Sequence, residues 1–275
     1  MPTPPETRSM ALFCDFENIA LGVREANYSL FDITKVLERL LLKGSIVVKK
    51  AYCDWERYKD FKAGMHQASF ELIEIPHVRQ SGKNSADIRM VVDALDLCYT
   101  KSHVDTFVII SGDSDFSPLV SKLRENNKTV IGVGVKKSTS DLLMANCDEF
   151  IYYDDLVREE KKPRAPANKS PKAAGKPSRA THKQETEEDT KKRQAFDLVL
   201  STVEALTAER GEEEKVWGSL VKQTLKRRNP GFSESYYGFR SFGKLLEEAQ
   251  ARGVLKLELD EKSGGYIVRS VAPEA

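Results

Sequence analysis

No apolar run in this chain approaches the roughly 20 residues needed to cross a bilayer. Its first residues, Met1-Pro2-Thr3-Pro4-Pro5-Glu6, offer neither a charged start nor an apolar stretch behind it. Membrane insertion and secretion are therefore not expected, and a cytoplasmic location follows. Cysteine is scarce and scattered: Cys14, Cys53, Cys98 and Cys147 contain no Cys-x-x-Cys pair. That argues against a zinc site or a disulfide framework and leaves reduced core thiols. Histidine is as sparse, and none of His66, His77, His103 and His182 lies within an acidic strand-end motif. Sustained positive charge is missing too. Residues 1–155 carry 19 basic against 23 acidic side chains and 195–275 carry 12 against 13, so only the middle, 156–194, is basic, with 12 against 6. Neither flank is a strongly cationic nucleic-acid binder by charge alone. An acidic region needs metal ions, or the basic middle, to attract a polyanion.

What is present is a pattern of acids at strand ends. Residues 10–15, 46–53, 70–75, 104–111, 129–135 and 149–152 read as short apolar strands, several rich in Val and Ile. Helical patterns alternate with them. Asp32 is placed to cap a helix with Ile33, Val36, Leu37, Leu40 and Leu41 on one stripe, and Ser85 to cap another with Ile88, Val91, Val92 and Leu95 inward. Further helices are expected over 57–69, 116–126 and 139–146. Such alternation predicts an α/β fold, a parallel sheet with helices on both faces. Ligands of such sheets bind beyond the carboxyl ends of the strands, where the strand order switches. Asp15 and Asp113 end strands that could flank that switch.

The segments concerned are Asp15-Phe16-Glu17-Asn18, Asn84-Ser85-Ala86-Asp87-Ile88 and Ser111-Gly112-Asp113-Ser114-Asp115-Phe116. Two carboxylates about 5 Å apart repel by roughly 3 kcal/mol at an effective dielectric near 20. Four such groups, Asp15, Asp87, Asp113 and Asp115, on one rim call for a counter-cation. Hard oxygen ligands select Mg²⁺ or Mn²⁺, ions that serve phosphate chemistry. Asn18 is placed to orient water or phosphate. A metal ion can supply an activated water, so the absence of a histidine is no obstacle.

Each acid also has a plainer reading. A strand-end Asp often only caps the next helix, which applies to Asp15, Asp113 and Asp115. Asp87 in a first turn complements the helix dipole. Asp93, six residues on, is about 240° around that helix and cannot share its face, which makes it a structural or outlying supporting acid. Lys83 and Asn84 are candidate phosphate contacts or ordinary loop polarity. Ser111, Thr139 and Ser140 are further candidate contacts near the same rim, with Asp141 supporting a helix end.

Residues 157–193 change character. Pro163, Pro166, Pro171 and Pro177 stand among lysines, arginines, alanines and serines without large apolar residues, the composition of a disordered basic linker. Helical periodicity returns with Phe196, Val199, Leu200, Val203 and Leu206, then from about Val216 to Arg228, then from about Tyr237 to Arg252. Val254–Leu259, a turn at Ser263-Gly264-Gly265 and Tyr266–Val268 complete three helices and a hairpin, a winged-helix arrangement.

Residues 9–156 resemble the NYN branch of the PIN-like nuclease superfamily. The resemblance rests on Phe13-Cys14-Asp15-Phe16-Glu17-Asn18, on Lys83 through Leu95, on Ile110 through Val120, and on Ser140-Asp141-Leu142-Leu143 with Cys147-Asp148-Glu149-Phe150. It implies a PIN-like, Rossmann-type sheet and a Mg²⁺- or Mn²⁺-dependent ribonuclease, with Asp15, Asp87, Asp113 and Asp115 as metal-site acids and Asn18 assisting. Residues 194–271 resemble an OST-HTH, or LOTUS, domain through Trp217-Gly218-Ser219-Leu220, Lys226 through Phe232, Tyr236-Tyr237-Gly238-Phe239 and Phe242-Gly243-Lys244-Leu245-Leu246. This second resemblance implies RNA binding or docking of a protein partner. Lys226, Arg227 and Arg228 would contribute, with Arg240 and Lys244, to a modest basic surface, beside which Tyr236 or Tyr237 could stack on a base. The aromatics are equally readable as core. PIN-like domains often pair, so a homodimer is compatible, although the sequence specifies no interface.

The leading expectation is a metal-dependent endoribonuclease with a targeting module. The rivals are a catalytically silent RNA-binding regulator or adaptor and, more remotely, a phosphatase. The last would want Asp-x-Asp at the first strand, where this chain has Asp15-Phe16-Glu17.

Overall fold

The structure, a computed structural model, describes residues 8–28, 30–75, 85–161, 187–210, 214–260 and 264–270. Its described residues divide into two compact units, one of residues 8–157 with 226–231 and one of residues 158–225 with 232–270. In the first unit, β1 (Arg8–Asp15) leads into α1 (Phe16–Glu25) and α2 (Ile33–Leu41), then β2 (Gly44–Cys53), α3 (Lys59–Gln67) and β3 (Glu71–Glu74). There follow α4 (Ser85–Thr100), β4 (Thr106–Ile110), a 3-10 turn at Ser114–Phe116, α5 (Ser117–Glu125), β5 (Thr129–Gly134), α6 (Asp141–Asn146), β6 (Glu149–Tyr152) and α7 (Tyr153–Lys161). The six strands make one sheet in the order β3-β2-β1-β4-β5-β6, every neighbouring pair parallel. The chain winds outward from β1 to β3 on one side and from β4 to β6 on the other. The order therefore reverses between β1 and β4, the strands whose ends carry Asp15 and Asp113.

The central strand shows why the sheet is covered on both faces. Met10 through Cys14 are all fully buried, as expected for an inner parallel strand with an unbroken apolar run. Alternate side chains point to opposite faces. Met10, Leu12 and Cys14 join Val108, Ile110, Ile131 and Val133 beneath α1, α2, α3 and α7, with Phe16, Val36 and Leu40 among the helical contributors. Ala11 and Phe13 join Phe107, Ile109 and Val130 beneath α4 and α5, with Met90, Ala94, Leu119 and Val120. Phe13 and Phe107 stack across the β1–β4 pair with centroids 6.0 Å apart. Each fully buried side chain of this size contributes roughly 1.5–3 kcal/mol, so the strands that deliver the acids are the firmest part of the unit.

Two helical stripes differ from the periodicity reading. In α2, Leu41 lies outside the core at 58% exposure. In α4 the buried residues are Met90, Ala94, Leu97 and Cys98, with Val91 and Leu95 partly buried, while Ile88 and Val92 are exposed. Small Ala94 and Cys98 let the helix approach the sheet, and the inward face is rotated accordingly. That rotation also decides where Asp87 lies. Asp87 is seven residues before Ala94, close to two full turns, and so shares the face turned toward the sheet. Helices α1 and α7 lie outside the stretches that periodicity singled out. Among the described residues no helix is long and apolar enough to cross a membrane.

The second unit contains α8 (Glu187–Arg210), α9 (Gly218–Arg228), α10 (Phe242–Ala251) and an antiparallel hairpin of β7 (Leu255–Leu259) and β8 (Tyr266–Ser270), with Trp217 bridging to Ile267. Its core joins Phe196, Val199 and Val203 of α8 to Val221 and Leu225 of α9 and to Phe242, Leu245 and Leu246 of α10. The third helix starts at Phe242, capped by the Ser241 hydroxyl, and not near Tyr237. Gly238 at φ +87° cannot continue a right-handed helix, and it ends the turn-forming stretch in front of the cap. Helices α7 and α8 also run into the range that composition assigned to the linker, so 157–161 and 187–193 are helical. Linker residues 162–186 lie outside the described residues.

Gly112, just past β4, fixes how the two halves of the switch point close. A Cβ there would stand 2.4 Å from the Ser138 carbonyl oxygen, a backbone atom that cannot swing aside. Gly112→Ala is expected to cost about 1–3 kcal/mol through overpacking and to lower the thermal midpoint. An unchanged melting curve would contradict this packing.

Candidate active site

Asp15 is the last residue of β1 and the N-cap of α1. One carboxylate oxygen accepts the Asn18 N–H at 3.3 Å and the other accepts the Ser111 hydroxyl at 3.0 Å. The Asn18 side-chain oxygen in turn accepts the Gly112 N–H at 2.9 Å, tying α1 to the turn after β4. Asp113 caps the 3-10 turn by accepting the Asp115 N–H at 3.0 Å, and its own N–H donates to the Ser111 hydroxyl at 3.2 Å. The Gly112 carbonyl accepts the Ser140 N–H at 2.9 Å. Three chain segments distant in sequence are thereby locked around one point.

Beside them is a cleft of about 360 Å³ whose lining includes Asp15, Asn18, Asp87 and Asp113. Asp115 is exposed and lies outside that lining, although its charge is felt by Asp87. Glu17 and Asp54 also face the cleft, and neither stood out in the sequence as a site residue. A signal existed for both: Glu17 is two residues beyond Asp15, and Asp54 directly follows the end of β2.

The crowding is visible in the acid strengths. Burial, then the Asp87 charge, push Asp15 up to about 7, against the hydrogen bonds from Asn18 and Ser111, with Asp113 adding to the rise. Asp87 is pushed up to about 6 by burial, then by Asp113, Asp115 and Glu17. Cys53 also lines the cleft. Burial and the surrounding carboxylates, Glu17 foremost, hold its thiol well above the usual range, so it is no thiolate nucleophile at neutral pH.

The remaining candidates are placed elsewhere. Ser111 is fully buried with its hydroxyl engaged by Asp15 and Asp113, so it orients a carboxylate and is not presented to a phosphate. Thr139 donates its hydroxyl to the Val135 carbonyl, Ser140 caps α6 by accepting the Leu142 N–H, and Asp141 is the exposed first residue of that helix. None of the three lines the cleft. Asp93 is remote from the acids in function: it accepts the Tyr52 hydroxyl at 2.9 Å and pairs with Lys50 at 3.4 Å and Arg89 at 3.0 Å. Lys226, Arg227 and Arg228 form the last turn of α9, where cations complement the helix dipole. Tyr237 packs on Phe232 with centroids 5.3 Å apart. Lys83 and Asn84 lie outside the described residues.

The donor set suits a small hard cation. Asp15, Asp87 and Asp113 offer only oxygens, and Mg²⁺ typically takes one or two carboxylates and keeps several waters. Among the described residues no group of three or more His, Cys, Asp or Glu side chains is already drawn together closely enough to hold an ion by itself.

The NYN domain family model matches residues 9–154, all but the first residue of the sheet that carries the cleft. The chain belongs to the NYN family. That family is typically one of ribonucleases and generally uses divalent metals. The chain is similar to an uncharacterized protein of Methanocaldococcus jannaschii, 28% identical over 120 residues, which is 44% of this chain and 47% of the relative. The match thus spans about half of that relative's length. A crystal structure of a protein of unknown function from Vibrio parahaemolyticus is similar with a TM-score of 0.50 and 27% identity, covering 56% of this chain and 98% of that one.

The buried acid of the NYN unit gives a pH prediction for metal-free protein. Asp15 is raised from an ordinary 3.8 to about 7, so the folded state holds a proton that the unfolded chain releases. Its contribution is full below about pH 4 and is lost as pH rises through 7, a swing of order 4 kcal/mol. Urea unfolding in EDTA should therefore show a lower midpoint at pH 8 than at pH 5, and Asp87→Asn should recover part of the difference. A midpoint that climbs between pH 5 and 8 would contradict the crowding.

Proposed function

We propose that the NYN unit is a Mg²⁺- or Mn²⁺-dependent endoribonuclease that hydrolyses RNA phosphodiester bonds in the cleft at the β1/β4 switch point. The observation that carries this reading is the convergence of Asp15, Asp87 and Asp113 on that cleft in a chain of this family. Asp15, Asp87 and Asp113 would hold the ion, with Asp115 at the edge, and the ion supplies charge stabilisation at a phosphoryl oxygen and a more acidic water. The chain's own residues do the positioning. Ser111 and the Asn18 N–H fix both oxygens of Asp15. The Asn18 side chain fixes the Gly112 turn, and through it Asp113. Pre-set carboxylates of this kind need no reorganisation when the substrate arrives, which is where such sites gain most of their rate.

The functional extents proposed are 9–156 for the catalytic domain, 157–193 for a basic connection whose ends are helical, and 194–271 for an OST-HTH (LOTUS) winged helix that recruits RNA or a protein partner. Burial of all four free cysteines fits action in a reducing compartment such as the cytoplasm.

The test is Mn²⁺-dependent cleavage of a 5′-labelled mixed RNA panel by wild type and Asp113→Asn purified side by side. Asparagine keeps an acceptor for the Asp115 N–H, so the fold should persist. The expected loss is at least about 100-fold in rate. Equal cleavage by both proteins would place the activity outside this site. RNA retained by both without turnover would favour the binding regulator.

A further inference from the structure

An acid-lined cleft that serves a polyanion needs a cation near its mouth, and the fold places one there. Asp54 accepts the Glu56 N–H on its side chain at 3.1 Å and the Arg57 N–H on its carbonyl at 3.0 Å. The tight turn after β2 is thereby fixed and sends the Arg57 guanidinium to Glu17 Oε1 at 3.0 Å. Glu17 and Asp54 both line the cleft, so Arg57 stands at its edge. The next two cations in the chain are committed away from it: Lys59 and Lys62 both bind Glu56, at 2.8 and 3.2 Å. Beside Arg57, the Tyr58 ring packs edge-on against Phe16 with centroids 5.6 Å apart. Its hydroxyl is raised by burial and then by Glu17, and eased by Arg57 and by Arg24. A second arginine, from the last turn of α1, therefore acts on the same patch.

We propose that Arg57 is a phosphate-binding residue of the cleft, exchanging Glu17 for a backbone phosphate of single-stranded RNA adjacent to the one that is cleaved. The inference rests on the ribonuclease reading for the identity of its ligand. The exchange is cheap because the side chains of Arg57 and Glu17 are 51% and 37% exposed, and an ion pair at that exposure adds little to stability. A guanidinium fork fits two phosphate oxygens as it fits a carboxylate. Glu17 thus serves as a placeholder that keeps the fork aimed at the cleft while RNA is absent. Lysine would supply the charge without the fork.

The experiment measures binding of a short labelled single-stranded RNA to the full chain over a range of salt, with Ca²⁺ in place of Mn²⁺. The proteins are wild type, Arg57→Ala, Arg57→Lys and Lys122→Ala, the last removing a cation on α5 that pairs with Glu125 away from the cleft. Arg57→Ala should weaken binding about tenfold at low salt and reduce the slope of log K against log salt by about 0.7, the value of one single-strand phosphate contact. Arg57→Lys should recover part of the affinity, and Lys122→Ala should match wild type. In Mn²⁺ cleavage, Arg57→Ala should raise KM with kcat held within about twofold. Wild-type affinity and slope in Arg57→Ala would overturn the proposal. So would an equal loss in Lys122→Ala, which would assign the effect to net charge. Binding by wild type without cleavage would sink the ribonuclease reading alone, since the salt slope still decides the role of Arg57.

Discussion

Mutual repulsion among Asp15, Asp87 and Asp113 is the constraint around which the first unit is organised. Burial, then the charge of Asp87 and, less, of Asp113, resists ionisation of Asp15, and burial, then Asp113, Asp115 and Glu17, resists that of Asp87. The surrounding structure has to bear that cost. It does so through strands β1 and β4, buried on both faces, and through the Ser111, Asn18 and Gly112 hydrogen bonds that leave Asp15 and Asp113 little room to move apart. A divalent cation bound among them would relieve that repulsion.

The architecture makes such a meeting natural. Parallel strands point their carboxyl ends one way, and the crevice opens where neighbouring connections leave in opposite directions. β1 and β4 are those neighbours, so Asp15 and the Ser111–Asp115 turn arrive at the crevice by topology alone. Asp87 arrives differently. It depends on the rotation of α4, which the small side chains Ala94 and Cys98 permit against the sheet.

That difference explains what could be read from the sequence. The strands were legible because Met10–Cys14 and Thr106–Ile110 are short, bounded apolar runs, and the acids at their ends were conspicuous. The inward face of α4 was not legible, because Ile88 and Val92 are more apolar than Ala94 and only closeness of approach decides between them. The start of α10 was missed because the Tyr237–Phe239 aromatics mimic a helical stripe, while Gly238 at positive φ breaks it. Ser111 looked like a phosphate contact because burial of a hydroxyl is invisible in a strand-end motif. Glu17 and Asp54 were overlooked because their part in the cleft depends on how the ends of β1 and β2 lie side by side. The pairing of Arg57 with Glu17 spans 40 positions and has no local signature.

The account stands or falls on where a divalent ion binds. Crystals of the full chain soaked in Mn²⁺ and measured at the manganese absorption edge would show the ion directly. The account predicts an anomalous peak in the cleft, within direct or one-water reach of the Asp15, Asp87 and Asp113 carboxylates, and its loss in Asp113→Asn. A peak at another acidic group with that cleft left empty at saturating Mn²⁺ would contradict it.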